Sequence, residues 1–125
     1  MIRHLTFATV LLASACKVTP PTPPDYVVSY HLTGAPQISC DSVKYKDAAG
    51  TVIKVTSPPL PWSVAYVAPA GTFVAGSAWM VATGSAQAAN LKVTWTISGV
   101  STASDSSFGT STGAGKFTLT VAHQL

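Results

Sequence analysis

Residues 91–98, LKVTWTIS, alternate apolar and polar side chains without a break. Leu91, Val93, Trp95 and Ile97 share one parity, and Lys92, Thr94, Thr96 and Ser98 the other. A period of two puts each set on its own face of a strand, whereas a helix would scatter both sets around its circumference. The same alternation recurs along the chain. In YVVSYHL, Tyr26, Val28, Tyr30 and Leu32 fall on one face, opposite Ser29 and His31. Trp62, Val64 and Tyr66 share a face, as do Phe117, Leu119 and Val121. ISCDSVKYK and TVIKVT flank a DAAG turn at 47–50 and read as a hairpin. GTFVAGSAWMVATG is apolar on both parities, and its Gly76 marks a bulge or a close backbone approach. Beyond the first fifteen residues no window repeats apolar residues at the helical period. These runs predict an all-β, antiparallel immunoglobulin-like β-sandwich of seven to eight strands over residues 26–125.

Composition agrees with short strands and turns. Charged residues are 9% of the 125, there is no glutamate, and Ser, Thr, Gly and Pro fill the polar positions. The length allows one domain with a real core. The lysines at 17, 44, 46, 54, 92 and 116 are dispersed along the chain, which argues against a nucleic-acid surface.

The amino terminus is organised differently. Arg3 precedes a short apolar run from Leu5 to Ala15 that ends in small residues, the build of a secretory signal. Eleven residues are too few to span a bilayer. Two cleavage patterns coincide at the same bond. Ala13-Ser14-Ala15 fits ordinary signal cleavage, while L-A-S-A-C resembles the lipobox of bacterial lipoproteins, with Ala13 where Leu is usual and Leu12 one step earlier. The lipobox resemblance implies removal of residues 1–15 and diacylglycerol on Cys16, with further acylation giving stable anchoring. The alternative use of Cys16 is a disulfide with Cys40, the only other cysteine. Sequence order favours the anchor, because Cys16 directly follows the apolar run and directly precedes KVTPPTPPD. That proline-rich segment, residues 16–25 with the cysteine, forbids helix and favours an extended tether of roughly 25 Å. The expected location is exported and lipid-anchored, at the cell membrane or outer membrane; Lys17 in place of an inner-membrane retention aspartate leans to the latter.

The order of motifs resembles the MmpS family of small exported, membrane-associated β-sandwich proteins. The matching residues are Tyr30, Thr33 and Gly34; Tyr45, Asp47 and Gly50; Leu60, Pro61, Trp62 and Ser63; and Ile97 with Gly99. The chain departs from that family in its lipobox and in lacking paired cysteines. The resemblance implies an accessory partner of a large envelope transporter.

Catalytic chemistry is sparse. His31 sits on the polar parity of its strand and His123 near the terminus, with no spacing of three or four metal ligands. There is no G-x-S-x-G elbow, and GTSTGAG at 109–115 reads as a hairpin loop and not a phosphate cradle. The chain is therefore read as a non-enzyme with no catalytic residue, cofactor or metal. Trp62 and Trp95 lie on apolar parities and are expected in the core. Trp79 and Met80 form the candidate binding surface, for a protein partner or, as the alternative, a sugar or lipid. Cys40 is either a buried small hydrophobe or a free thiol.

Overall fold

The computed structural model describes residues 25–84, 87–97 and 100–125. The expected signal, Cys16 and the expected tether up to Pro24, together with Ser85, Ala86, Ser98 and Gly99, lie outside the described residues. Eight strands run in order: β1 (Tyr26–Gly34), β2 (Ile38–Lys46), β3 (Val52–Thr56), β4 (Trp62–Ala68), β5 (Phe73–Ala82), β6 (Gln87–Ile97), β7 (Val100–Ser111) and β8 (Gly115–Gln124). They form two four-stranded antiparallel sheets, β4-β1-β6-β7 and β3-β2-β5-β8. The expected sandwich is thus an eight-stranded one.

The alternating parities supply the core. Val28, Tyr30 and Leu32 of β1 and Leu91, Val93 and Trp95 of β6 meet Val43, Val74, Ala78, Met80, Leu119 and Val121 from the second sheet, all buried. Trp62, Val64, Tyr66 and Phe117 pack against this cluster from its margin. The chain crosses between sheets at one end through Ala35–Gln37, 57–61, 83–86 and 112–114. At the other end sit Tyr26, the β2–β3 turn and the carboxyl terminus. There Asp47 Oδ1 accepts from the Ala49 and Thr51 amides, and Gly50 takes φ +80, as a tight turn requires. The Leu125 carbonyl accepts from the Gly71 amide while its own amide donates to Thr72 O.

Three local features differ from the reading of the sequence. Register shifts lie in β2 between Cys40 and Ser42 and in β6 between Trp95 and Thr96, and not at Gly76. Gly76 is the close approach: a Cβ there would sit 2.9 Å from Tyr30 Cε1. Strand β7 was not evident as a strand, because its inward positions are Asp105, Ser107 and Gly109 opposite Val93, Leu91 and Ala89. Small and polar residues give no apolar alternation. As a consequence the loop expected at 109–115 shrinks to 112–114.

Candidate interaction surface

The core polar groups are structural. Tyr30, wholly buried, places its hydroxyl 3.2 Å from the Tyr66 hydroxyl and donates to Ala75 O, while Tyr66 donates to Lys46 O at 2.7 Å. Burial raises both phenols above their ordinary range. Tyr45 and Trp62 complete the aromatic group, with ring centres 5.8 Å apart. These contacts bind β1 and β4 to β2 and β5 across the sandwich. Cys40 is buried and free, and its thiol donates to Ser42 O at 3.3 Å. Burial, with Asp41 adding to it, pushes this thiol up to about 11, so at neutral pH it behaves as a small hydrophobe.

His31 is exposed on the outer face of β1, as its parity requires. His123 stacks on Trp95 at 4.0 Å between ring centres and 14° between planes, covering the edge of the core. Among the described residues no three of His, Cys, Asp and Glu converge in a way that could hold a metal.

Trp79 and Met80 part company. Adjacent strand residues point to opposite faces, so Trp79 stands on the outer face of the second sheet at 36% exposure while Met80 is fully buried. Met80 belongs to the core and offers nothing to a partner. Trp79 pairs with Ser42 on β2 and Thr118 on β8, and lysines surround this row. Register sets Lys44 opposite both Ser77 and Lys54, and Val81 opposite Lys116. Lys44 Nζ lies 5.3 Å from the centre of the Trp79 ring, and Lys46 Nζ 5.3 Å from that of Phe73. Between the two lysines, Ala75, Gly76 and Ser77 floor a shallow notch of about 140 Å³. The dispersed lysines of the sequence are therefore gathered: Lys44, Lys46, Lys54 and Lys116 share one face. The hairpin signal around DAAG contained part of this, since a turn at 47–50 places 44 opposite 54. Lys116 joins only through the pairing of β5 with β8, which no local pattern reveals.

Other concave regions occur among the described residues, one of them around the β7–β8 turn at 112–114. A cleft of about 470 Å³ at the crossover end is lined by Ala35, Ser39, Asp41, Ser57, Pro59 and Val81, among others. There Ser57, at φ +48, donates its amide to Asp41 O at the bulge, and Leu60-Pro61 is a cis peptide. On the first sheet a groove of about 260 Å³ runs beside Asn90 and Phe108. Asn90 Oδ1 is buried there without a hydrogen-bond partner among the described residues, opposite Phe108 at 68% exposure. No protein-family model matches this chain, and no curated protein is significantly similar to it.

Proposed function

We propose that the protein is an exported, membrane-anchored lipoprotein, fastened through Cys16, whose β-sandwich is a non-catalytic docking module of the cell envelope. One observation carries the docking half of this reading. Among the described residues the exposed large apolar side chains are Val27, Val67 and Phe108 on the outer face of the first sheet and Val52, Phe73 and Trp79 on that of the second. They stand on open strand faces and do not converge on an enclosed cavity, which suits contact with a broad surface. The anchor rests on the placement of Cys16 between an apolar run and a proline-rich tether. A membrane transporter is the partner class that the MmpS resemblance implies.

Mass spectrometry of the mature amino terminus, extracted from membranes, tests the anchor: acylated Cys16 is expected, and Cys16→Ser should release the protein to the soluble fraction. An unmodified cysteine in soluble protein refutes the anchor. Detergent extracts should yield a co-purifying integral membrane protein. Recovery of the chain alone, after cross-linking as well, refutes the accessory role.

A second reading, a sugar-binding module, is favoured by Asn90 and Phe108. An amide oxygen lacking a donor beside an exposed ring offers a hydroxyl acceptor and a stacking platform. Phe108→Ala and Asn90→Leu should each abolish glycan retention if that reading holds.

A further inference from the structure

We infer that the outer face of the second sheet is a docking surface for an anionic lipid bilayer. The inference rests on the anchoring reading only for which bilayer lies in reach. Four of the chain's six lysines, Lys44, Lys46, Lys54 and Lys116, lie on this face. The four described acids do not balance them. Asp25 precedes β1, Asp47 is engaged in its turn, Asp105 takes the inward parity of β7, and Asp41 alone stands at the upper rim, on the bulge.

The arrangement is costly without an anion. Lys44 and Lys54 are directly opposite across β2 and β3. Like charges in that position destabilise a sheet, and no carboxylate on a neighbouring strand offsets them. The ammonium groups of Lys44 and Lys46 rest over Trp79 and Phe73, a contact of modest strength at an exposed site. Lipid phosphates would supply the missing charge. As the lysines swing out to them, the rings and Val52 become free to enter the headgroup layer, where tryptophan is at home with one end wet and one apolar.

Position agrees with chemistry. The tether joins the sandwich at Tyr26, at the end where Lys46, Val52 and Phe73 also lie. A span of roughly 25 Å from the acylated residue lets this face lie on the same bilayer. A polybasic face beside an acyl anchor makes two membrane signals where one would hold poorly. The first sheet offers Lys92 as its one lysine, among Ser29, His31, Thr94 and Ser106.

The test uses the mature chain from residue 16 with Cys16→Ser, so that no acyl chain contributes. It is mixed with vesicles of phosphatidylcholine alone or with phosphatidylglycerol in equal parts. We expect binding to the anionic vesicles only, released at roughly 0.5 M salt where screening lengths fall to a few ångströms. Each of Lys44→Gln, Lys46→Gln, Lys54→Gln and Lys116→Gln should weaken binding about fivefold, and Lys92→Gln not at all. Trp79 fluorescence should move to the blue on binding, identified by its loss in Trp79→Phe. Surface lysines leave the core intact, and a melting curve for each variant verifies this. Absence of binding to anionic vesicles overturns the inference, as does equal weakening by Lys92→Gln. Tighter binding to poly-glutamate than to vesicles overturns it in favour of an acidic protein partner. A native chain that lacks acylation but binds vesicles removes the anchor and leaves this face standing.

Discussion

On the outer face of the first sheet, Ser29, His31, Thr33, Lys92, Thr94 and Ser106 present hydroxyls, an imidazole and a single ammonium, beside the apolar Val27, Val67 and Phe108. The corresponding positions of the second sheet carry Lys44, Lys46, Lys54, Lys116, Phe73 and Trp79. Both sheets bury their other parity in one shared core, and both obey the same period of two. Packing therefore dictates the inward residues on both sheets alike and leaves the outward ones free. Serine and threonine suit a strand that needs only water outside, since they favour β structure and carry no charge to balance. Lysines opposite lysines and tryptophan in water each carry a cost that the fold does not require. Where a sheet departs from the inexpensive solution, the departure points to what the face meets.

The two faces share one scaffold through the common core, and the largest predicted effect tests this. Gly76→Val puts side-chain atoms where a Cβ alone would already be 2.9 Å from Tyr30. Tyr30 cannot yield, being wholly buried and held by Tyr66 and Ala75. Chemical denaturation should show a loss of roughly 3 kcal/mol or more, at the upper end of overpacking effects. Probes on both sheets should report it together. Gly109→Ala on edge strand β7 meets only the ends of the Leu119 and Phe117 side chains, at 2.8 and 2.9 Å, and should cost less. Loss of order in the second sheet alone would show that the faces are not carried by one cooperative unit.

A smaller effect comes from pH. The Cys40 thiol, ordinarily near 9.0, is pushed up to about 11 by burial, so the folded state holds its proton more tightly than the unfolded chain. That contribution is fully present below the lower value and is lost as pH rises through the upper one. Tyr30 and Tyr66, also raised by burial, extend the loss above their ordinary value of 10.0. Stability measured by denaturant should be flat to about pH 9 and then fall, by at most about 1.4 kcal/mol per unit for each group. Cys40→Ala should remove the first part of that slope. An alkaline fall that begins below pH 8 would contradict the assignment to the buried thiol and phenols.

Legibility in the sequence followed the same division. Strands with large inward residues were evident from alternation alone, and β6 shows why: Leu91, Val93 and Trp95 are buried while Lys92 is exposed. Strand β7 was missed because its inward face is Asp105, Ser107 and Gly109, where Phe117 and Leu119 fill the space from β8. Alternation leaves Trp79 and Met80 ambiguous because both parities of β5 are apolar, and only the structure sets Trp79 outward and Met80 inward. The lysine face was invisible for a different reason. Charge along a chain is one-dimensional, and Lys116 reaches the others only through the long-range pairing of β8 with β5. The proposed amino-terminal signals rest on contiguous residues alone, so the fold neither adds to nor subtracts from them.

The smallest predicted effect on stability separates the faces most sharply. Trp79→Ala and Phe108→Ala each remove one exposed aromatic side chain, the first from the second sheet and the other from the first. Phe108, at 68% exposure, stands largely in water and should cost no more than about 0.5 kcal/mol, whereas Trp79, at 36%, should cost about 1 kcal/mol, both measured as a denaturation midpoint. Their binding consequences should be opposite. Trp79→Ala should weaken association with anionic vesicles several-fold while leaving the salt dependence unchanged, because the ring contributes burial and the lysines contribute charge. Phe108→Ala should leave vesicle association untouched. If both weaken it equally, the bilayer does not distinguish the two sheets, and the lysine excess on the second is only a solvated surface. If neither does, the aromatic rings are passengers under their lysines and docking is electrostatic alone.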